Sequence, residues 1–521
     1  MNINSSKQTL SLKQTLKNVF SSWGKRSLEI LVMLITVPII TRHFGLELMG
    51  IWLLATQLSQ HIFLLEFGFN TSLTRFLSRY RAKNDLITAS MYLSTSILFL
   101  QVIGITVIIF SPLIATLFDK MFSFPPELRN QVYWLIILVT SLTGINLSLR
   151  TGIGMLSSKH LFDRIALWES FSLLIRLVSI IFCFYFYDPN FIQLALITFI
   201  PSLFGSIMIF VEGLKANKDL SLSKDLITTK VVKRMISISG AAFVITMSAV
   251  IVRQTSSMLA GWKIGVDQVA TLAFPILIVF ATLPFISIGA TLMSPVASQM
   301  DAENKQKTFY SLYVVIGRYV FSMATLIVLA FYFLGDLLFG LWLGGPNVDS
   351  NALNKIAKNV IIIFSGVALA VPGFILRQIL IAVGKHWNAA FGEMIGAIIG
   401  VLFGYMLMVY TSLGTTGMAI GISVAFIIRG FGFLTIQGAR YFSVNFSKIT
   451  LDTMQIPLML MLFTVLFSKV LLAIIGFDDI HSIYYDILSF GIIFSLWIVG
   501  CWFLIIDKNH KILVKNYFKR N

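Results

Sequence analysis

Apolar runs of roughly 20 residues alternate with short polar segments along this chain, and each run is long enough to cross a bilayer as a helix. The pattern predicts about fourteen spans. They lie near 18–41, 48–68, 89–117, 130–155, 165–187, 191–212, 235–261, 268–292, 312–335, 356–383, 389–411, 415–437, 453–475 and 484–506. The longest polar stretch, 213–234, carries Lys215, Lys218, Lys224, Lys230, Lys233 and Arg234 and divides the chain. The expected organisation is a six-helix bundle over 1–212, a cytoplasmic linker over 213–234 and a second six-helix bundle over 235–437. Residues 438–521 add two spans and a basic tail with Lys508, Lys511, Lys515, Lys519 and Arg520. The fold class is an all-α polytopic membrane protein.

A weak internal repeat supports the division. A shift of about 220 residues aligns Gly45 with Gly265, Glu47 with Asp267, Thr71 with Thr291, Ser78 with Ser298, Ala82 with Ala302 and Asn84 with Asn304. In each copy a span ends in a Gly-X-acid turn, a second span follows, and a polar segment closes the unit. Repeated helical bundles around a central site are a common plan of transporters.

Composition excludes an ordinary soluble protein: 12% of the residues are charged and 57% hydrophobic, where about a quarter of a globular chain is charged. The net charge of +17 does not point to nucleic acid, because Lys and Arg gather in alternate loops, as the positive-inside bias requires. The opposite loops hold Asp119, Glu127, Asp188, Asp267, Asp336, Asp349, Asp478 and Asp479. This alternation puts both termini in the cytoplasm. The run after Lys25 and Arg26 leads to Thr41-Arg42-His43 without a small-residue cleavage site, so it reads as an uncleaved first span. Cys183 and Cys501 both lie in spans and form no CxxC or metal pattern. With no HExxH, GxxxxGK[ST] or GxSxG motif, the sequence gives no reason to expect an enzyme, a metal or a cofactor.

Ionisable residues inside spans carry the functional signal, since a charge in hydrocarbon is costly and faces a cavity or a partner. Arg176 lies near the middle of the fifth span and Arg253 in the outer half of the seventh. Lys25, Arg26, Arg150, Arg318, Arg377 and Arg429 lie in the cytoplasmic third of theirs, where an arginine can also snorkel to the headgroups. The acids are Glu29, Glu66, Glu169 and Glu393. Glu169 and Arg176 are on one helix face, and Glu29 is placed to pair with Arg26 at i−3. His61 reads as a hydrogen-bonded histidine or a proton carrier. Span prolines (Pro38, Pro112, Pro201, Pro275, Pro284, Pro372 and Pro457) shape packing or supply bends. Gly392, Gly396, Gly400 and Gly404 form a smooth face for close helix approach. The surplus of arginines predicts a cationic cavity and an anionic cargo, because the guanidinium fork suits phosphate and carboxylate. The expected cargo-binding residues are Arg26, Arg150, Arg176, Arg253, Arg318 and Arg377. Glu29, Glu66 and His61 are the candidates for ion coupling.

The segment Arg42-His43-Phe44-Gly45-Leu46-Glu47-Leu48-Met49-Gly50-Ile51-Trp52 resembles the R-x-x-G-x-E-x-x-G-x-W start of polysaccharide-export flippases. Leu65-Glu66-Phe67-Gly68-Phe69 with Thr74-Arg75 resembles their continuation, and Leu292-Met293-Ser294-Pro295 their pattern before the ninth span. These are the Wzx-like oligosaccharide flippases of the multidrug/oligosaccharidyl-lipid/polysaccharide exporter superfamily. The resemblance implies two six-helix bundles in a V-shaped pseudo-twofold arrangement in the bacterial inner membrane. It also implies a cargo, an undecaprenyl-diphosphate-linked glycan used for surface polysaccharide such as the O-antigen of lipopolysaccharide. A polysaccharide polymerase and its chain-length machinery would be partners, besides membrane lipid. Family members often carry an acid near Arg253-Gln254, which this chain lacks. Rival expectations are a lipid-linked peptidoglycan-precursor flippase, a cation-coupled drug exporter, whose acids should outnumber its arginines, and a membrane glycosyltransferase or polymerase, which needs a large outside loop.

Overall fold

The computed structural model describes residues 12–286, 306–346, 348–475 and 483–505, with Met293, Ala297, Met300, Asp301 and Glu303 between the first two stretches. Among these residues all regular structure is helical. The repeat partners at 291, 298, 302 and 304, most of the 292–295 motif and the basic tail lie outside the described residues.

Among the described residues, thirteen helical runs are long and apolar enough to cross a membrane. The first, Phe20–Ala82, contains two of the expected spans, because the helix α1 (Leu12–Phe63) breaks at Gly45 (φ 77, ψ 170). The repeat partner Gly265 also takes a positive φ (136, ψ 156) between the seventh and eighth spans. A side chain at either position would be strained, so the aligned glycines mark the same kind of backbone break.

After α1 come α2 (Phe69–Ala82), α3 (Leu86–Met121), α4 (Arg129–Leu149), α5 (Thr151–Ser158), α6 (Phe162–Phe186) and α7 (Phe191–Ala216). Next are α8 (Thr229–Val250), α9 (Ser256–Lys263) and α10 (Val269–Ile286). The chain continues with α11 (Gln306–Leu343), α12 (Ser350–Ala382), α13 (His386–Tyr410), α14 (Thr415–Phe426), α15 (Thr435–Phe442), α16 (Phe446–Ile475) and α17 (Ile483–Gly500). The span prolines all lie inside helices.

The chain forms two compact units, Met1–Phe44 with Ala55–Phe243, and Gly45–Leu54 with Val244–Asn521. Neither is contiguous in sequence. Packing explains the exchange: Gly50 lies against the Val266 backbone and Leu54 against Gly261, whereas Ser72 Oγ donates to the Met235 carbonyl (2.8 Å) and Ser239 Oγ to that of Phe67 (2.9 Å).

In the first unit the core gathers on Phe69, Leu73, Phe76, Tyr92, Leu93 and Met235, with the Phe76 and Tyr92 rings stacked at 4.0 Å. The expected linker is shorter than its charge pattern suggested, because α7 continues to Ala216 and α8 begins at Thr229. It is also fastened down. Arg81 reaches Asp219 (2.9 Å), Asn217 and Ser158, and the Ser221 amide donates to Ser90 Oγ (3.1 Å). Burial would raise the Asp219 carboxyl, but Arg81 and Lys159 outweigh it and hold it below the usual carboxylate range.

In the second unit, Gly392, Gly396, Gly400 and Gly404 of α13 lie against α14 and the segment after it. A Cβ at Gly396 would stand 2.7 Å from that of Arg429, and one at Gly400 would stand 2.6 Å from the Ala425 Cα. The smooth-face reading of these glycines is therefore a packing contact.

Candidate functional site

The first unit holds a partly open cavity of about 370 Å³ whose lining includes the polar residues Glu29, Asn146, Arg150, Glu169, Arg176 and Ser202. Its charges come from α1, α6 and Arg150 at the junction of α4 and α5. Lys25 Nζ lies 2.6 Å from Glu169 and 3.2 Å from Glu29, bridging α1 and α6. Arg26 pairs with Glu29 at 2.7 Å, as the i−3 spacing indicated. Glu66 sits in a single turn of 3₁₀-helix, where it accepts from Arg150 Nε (2.5 Å) and from the Asn70 amide (3.3 Å). The Arg150 guanidinium also stacks 4.7 Å from the Phe63 ring. This gives the Leu65–Phe69 motif a physical meaning. Its acid anchors Arg150, and Phe67 and Gly68 (φ 50 and φ 71) turn the chain into α2.

Arg176 differs from these. It faces the same cavity, and the described residues place no carboxylate within ion-pair distance of it. The Glu29 charge acts on it from further away. Around it stand side chains able to hydrogen-bond, including Gln60, Ser172, Thr198 and Ser206. The Thr198 hydroxyl is buried without a partner. A guanidinium beside one unpartnered hydroxyl and further hydroxyl and amide side chains is equipped to bind an anionic, hydroxyl-bearing ligand. Of the coupling candidates, Glu29 and Glu66 are engaged by cations, and His61 Nδ1 lies 3.0 Å from the Gln57 carbonyl.

The arginines of the second unit do not gather at one place. Arg253 lies in a π-helical turn, Ile251–Thr255, with its guanidinium 4.7 Å from the Phe280 ring. Arg318 Nε donates to the Asp452 carbonyl (2.6 Å), which ties α11 to α16. Tyr310 donates to the Asp452 carboxylate (2.7 Å).

Arg377 joins a buried triad with Glu393 and Arg429. Arg377 Nη1 lies 3.1 Å from Glu393 Oε1, and Arg429 Nη1 lies 2.7 Å from Oε2. Sequence reasoning noticed all three residues and did not join them, since they come from three different helical segments. Their shared depth was the only available signal. Among the described residues no group of three His, Cys, Asp or Glu side chains is arranged to hold a metal.

The sequence model of the polysaccharide biosynthesis protein family matches residues 15–301. The chain belongs to this family. The flippase resemblance of residues 42–52 and 65–75 agrees with that membership. No curated protein shows significant similarity to the chain.

Solved structures of the same fold include the Lipid II flippase MurJ in an inward closed conformation. It has a TM-score of 0.69 and 14% identity, covering 93% of this chain and 97% of that one. An inward-facing multidrug resistance MATE family transporter of the MOP superfamily gives TM-score 0.67 at 16% identity, over 79% and 94%. A MOP superfamily transporter from Pyrococcus furiosus, described as having a binding pocket of reverse polarity, gives 0.62 at 17%, over 84% and 96%. At these identities the likeness is one of fold. This member of the polysaccharide biosynthesis family is thus a polytopic helical protein with the MOP fold.

Proposed function

We propose that this protein flips an undecaprenyl-diphosphate-linked oligosaccharide from the cytoplasmic to the outer leaflet of the bacterial inner membrane, for surface polysaccharide assembly. It would work by alternating access, with residues 1–212 moving against 235–437. The observation that carries the reading is the first-unit cavity, where Arg176 stands among hydroxyl and amide groups in a chain of the polysaccharide biosynthesis family. Such a setting suits a cargo that joins phosphate to sugar. Arg150 lines the same cavity as a further cationic contact, and Arg26 belongs to the proposal through its pair with the lining Glu29. Arg253, Arg318 and Arg377 belong to the proposal as second-unit contacts.

An apolar groove of about 700 Å³ in the second unit, lined by Phe285, Tyr319, Met323, Trp497 and Trp502, suits the isoprenoid chain of the same cargo. The polymerase and chain-length machinery would receive the product. The orientation proposed has both termini in the cytoplasm.

A second reading, a flippase for a lipid-linked peptidoglycan precursor, draws on the fold shared with MurJ over 93% of this chain. One experiment separates the two. Depletion of the protein should leave a lipid-linked oligosaccharide on the inner leaflet, with peptidoglycan synthesis intact. Accumulation of a peptidoglycan precursor instead would favour the second reading, and accumulation of neither would remove both.

A further inference from the structure

The triad of the second unit has an asymmetry with a functional consequence. Glu393 and Arg429 are almost fully buried, their side chains 2% and 5% exposed, whereas Arg377 is 28% exposed. The contact to Arg429 is the shorter, 2.7 Å against 3.1 Å. Arg429 is held from several sides. It sits in a π-helical segment, Ile427–Leu434, with its guanidinium 4.0 Å from the Phe426 ring and 5.3 Å from that of Phe374. Gly396 lets α13 approach the Arg429 backbone closely. Arg377 touches only the edge of this arrangement, 5.8 Å from the Phe374 ring. Two guanidiniums share one carboxylate, so the group carries one positive charge more than it needs.

A lone buried carboxylate cannot release its only cation without a large desolvation penalty. Here the penalty is avoided, since Arg429 stays on Glu393 when Arg377 leaves. The Nε groups of Arg377 and Arg429 are both buried without a hydrogen-bond partner, so the two guanidiniums retain unused donors. Guanidinium does not lose its proton in proteins, so Arg377 can change partner but cannot neutralise itself.

We propose that Arg377 is an exchangeable arginine, which leaves Glu393 to take the diphosphate of the cargo, and that Arg429 is the positioning residue that makes the exchange possible. The proposal rests on the reading of the cargo as a diphosphate-linked glycan. It adds Glu393 and Arg429 as residues that set the strength of that contact without touching the cargo.

The test is binding of inorganic pyrophosphate to the full chain purified in detergent, by titration calorimetry, with thermal stability measured on the same samples. Glu393→Gln frees Arg377 and should tighten pyrophosphate roughly tenfold, while lowering stability. Arg429→Met leaves Arg377 as the only counter-ion of Glu393 and should weaken binding roughly tenfold, the scale of one charge-assisted contact. The double variant Glu393→Gln with Arg429→Met removes both buried charges, so it should fold even if a single variant does not. It should bind at least as tightly as the wild type. Arg377→Met should abolish the difference between backgrounds.

A merely structural triad would change stability and leave these affinities alike, and that result would overturn the proposal. So would a wild-type protein that binds no pyrophosphate. Either failure leaves the proposed function to its own test, the leaflet on which lipid-linked oligosaccharide accumulates.

Discussion

The two units handle buried charge in different ways. In the first, Lys25, Glu29, Glu169, Arg150 and Glu66 pair around an open cavity, and Arg176 faces that cavity with no carboxylate in ion-pair range. In the second, Arg377, Glu393 and Arg429 meet in a closed contact among glycines and phenylalanines. The same residue types therefore do two jobs. Where polar groups and space surround an arginine, it can serve a ligand. Where aromatic rings and close helix contacts surround it, as they do Arg429, its charge must be met by the protein itself, and only Arg377, at the exposed edge of the contact, is placed to exchange partner.

The contrast is sharpest in stability. Glu393→Ala leaves two guanidiniums without their shared carboxylate and should cost roughly 3–5 kcal/mol. Glu29→Gln removes two pairs, to Lys25 and Arg26, whose members are 25% to 37% exposed, and should cost only about 0–1 kcal/mol. Thermal unfolding of both variants in detergent checks this. Equal losses would erase the distinction between an open and a closed charge cluster.

Function should show the reverse order. Arg176→Ala should lose roughly ten- to a hundredfold in cargo affinity, the loss of about 1.5–3 kcal/mol from one charge-assisted contact. Arg176→Lys keeps the charge without the fork and should retain part of the activity. Surface glycan in cells carrying only the variant, at normal membrane levels, is the measurement. Wild-type glycan from Arg176→Ala would take the cavity out of the transport route.

Gly396→Ala tests the closed side by packing alone. Its Cβ would stand 2.7 Å from the Arg429 Cβ and 2.8 Å from the Ala425 carbonyl oxygen, so overpacking should cost about 1–3 kcal/mol. A neutral effect on melting would mean that the helices can separate there at no cost.

The smallest effect belongs to the linker. The Asp219 carboxyl is held below its unfolded value near 3.9, so its contribution is present above that pH and is lost as pH falls through the folded value. Asp219→Asn should raise hydrogen exchange at Ser221 and Ser223 at neutral pH and remove the acid dependence. The same linker gives a test of orientation. Asn217 is buried and bonded to Arg81, so Lys218→Cys, which is exposed, is the better reporter. It should resist an impermeant thiol reagent in intact cells, whereas Tyr187→Cys should label.

The amino-acid sequence by itself determined the class of fold, since runs of about 20 apolar residues leave the backbone no solution in a membrane except helices. It also determined the Gly45 and Gly265 breaks, because a positive φ calls for glycine and the repeat placed both. The Arg26–Glu29 pair and the smooth face of 392–404 were legible for a similar reason: both follow from helical spacing within one segment. Only the tertiary structure decided which charges meet across helices. Lys25 finding Glu169, Arg150 finding Glu66, and Glu393 being shared by two arginines depend on how separate helices pack. A pattern with a period of 3.6 residues describes one helix's own face and says nothing of the neighbour that will cover it. For the same reason the sequence could count its buried arginines but not tell Arg176, which faces the first-unit cavity, from Arg429, which the protein keeps for itself.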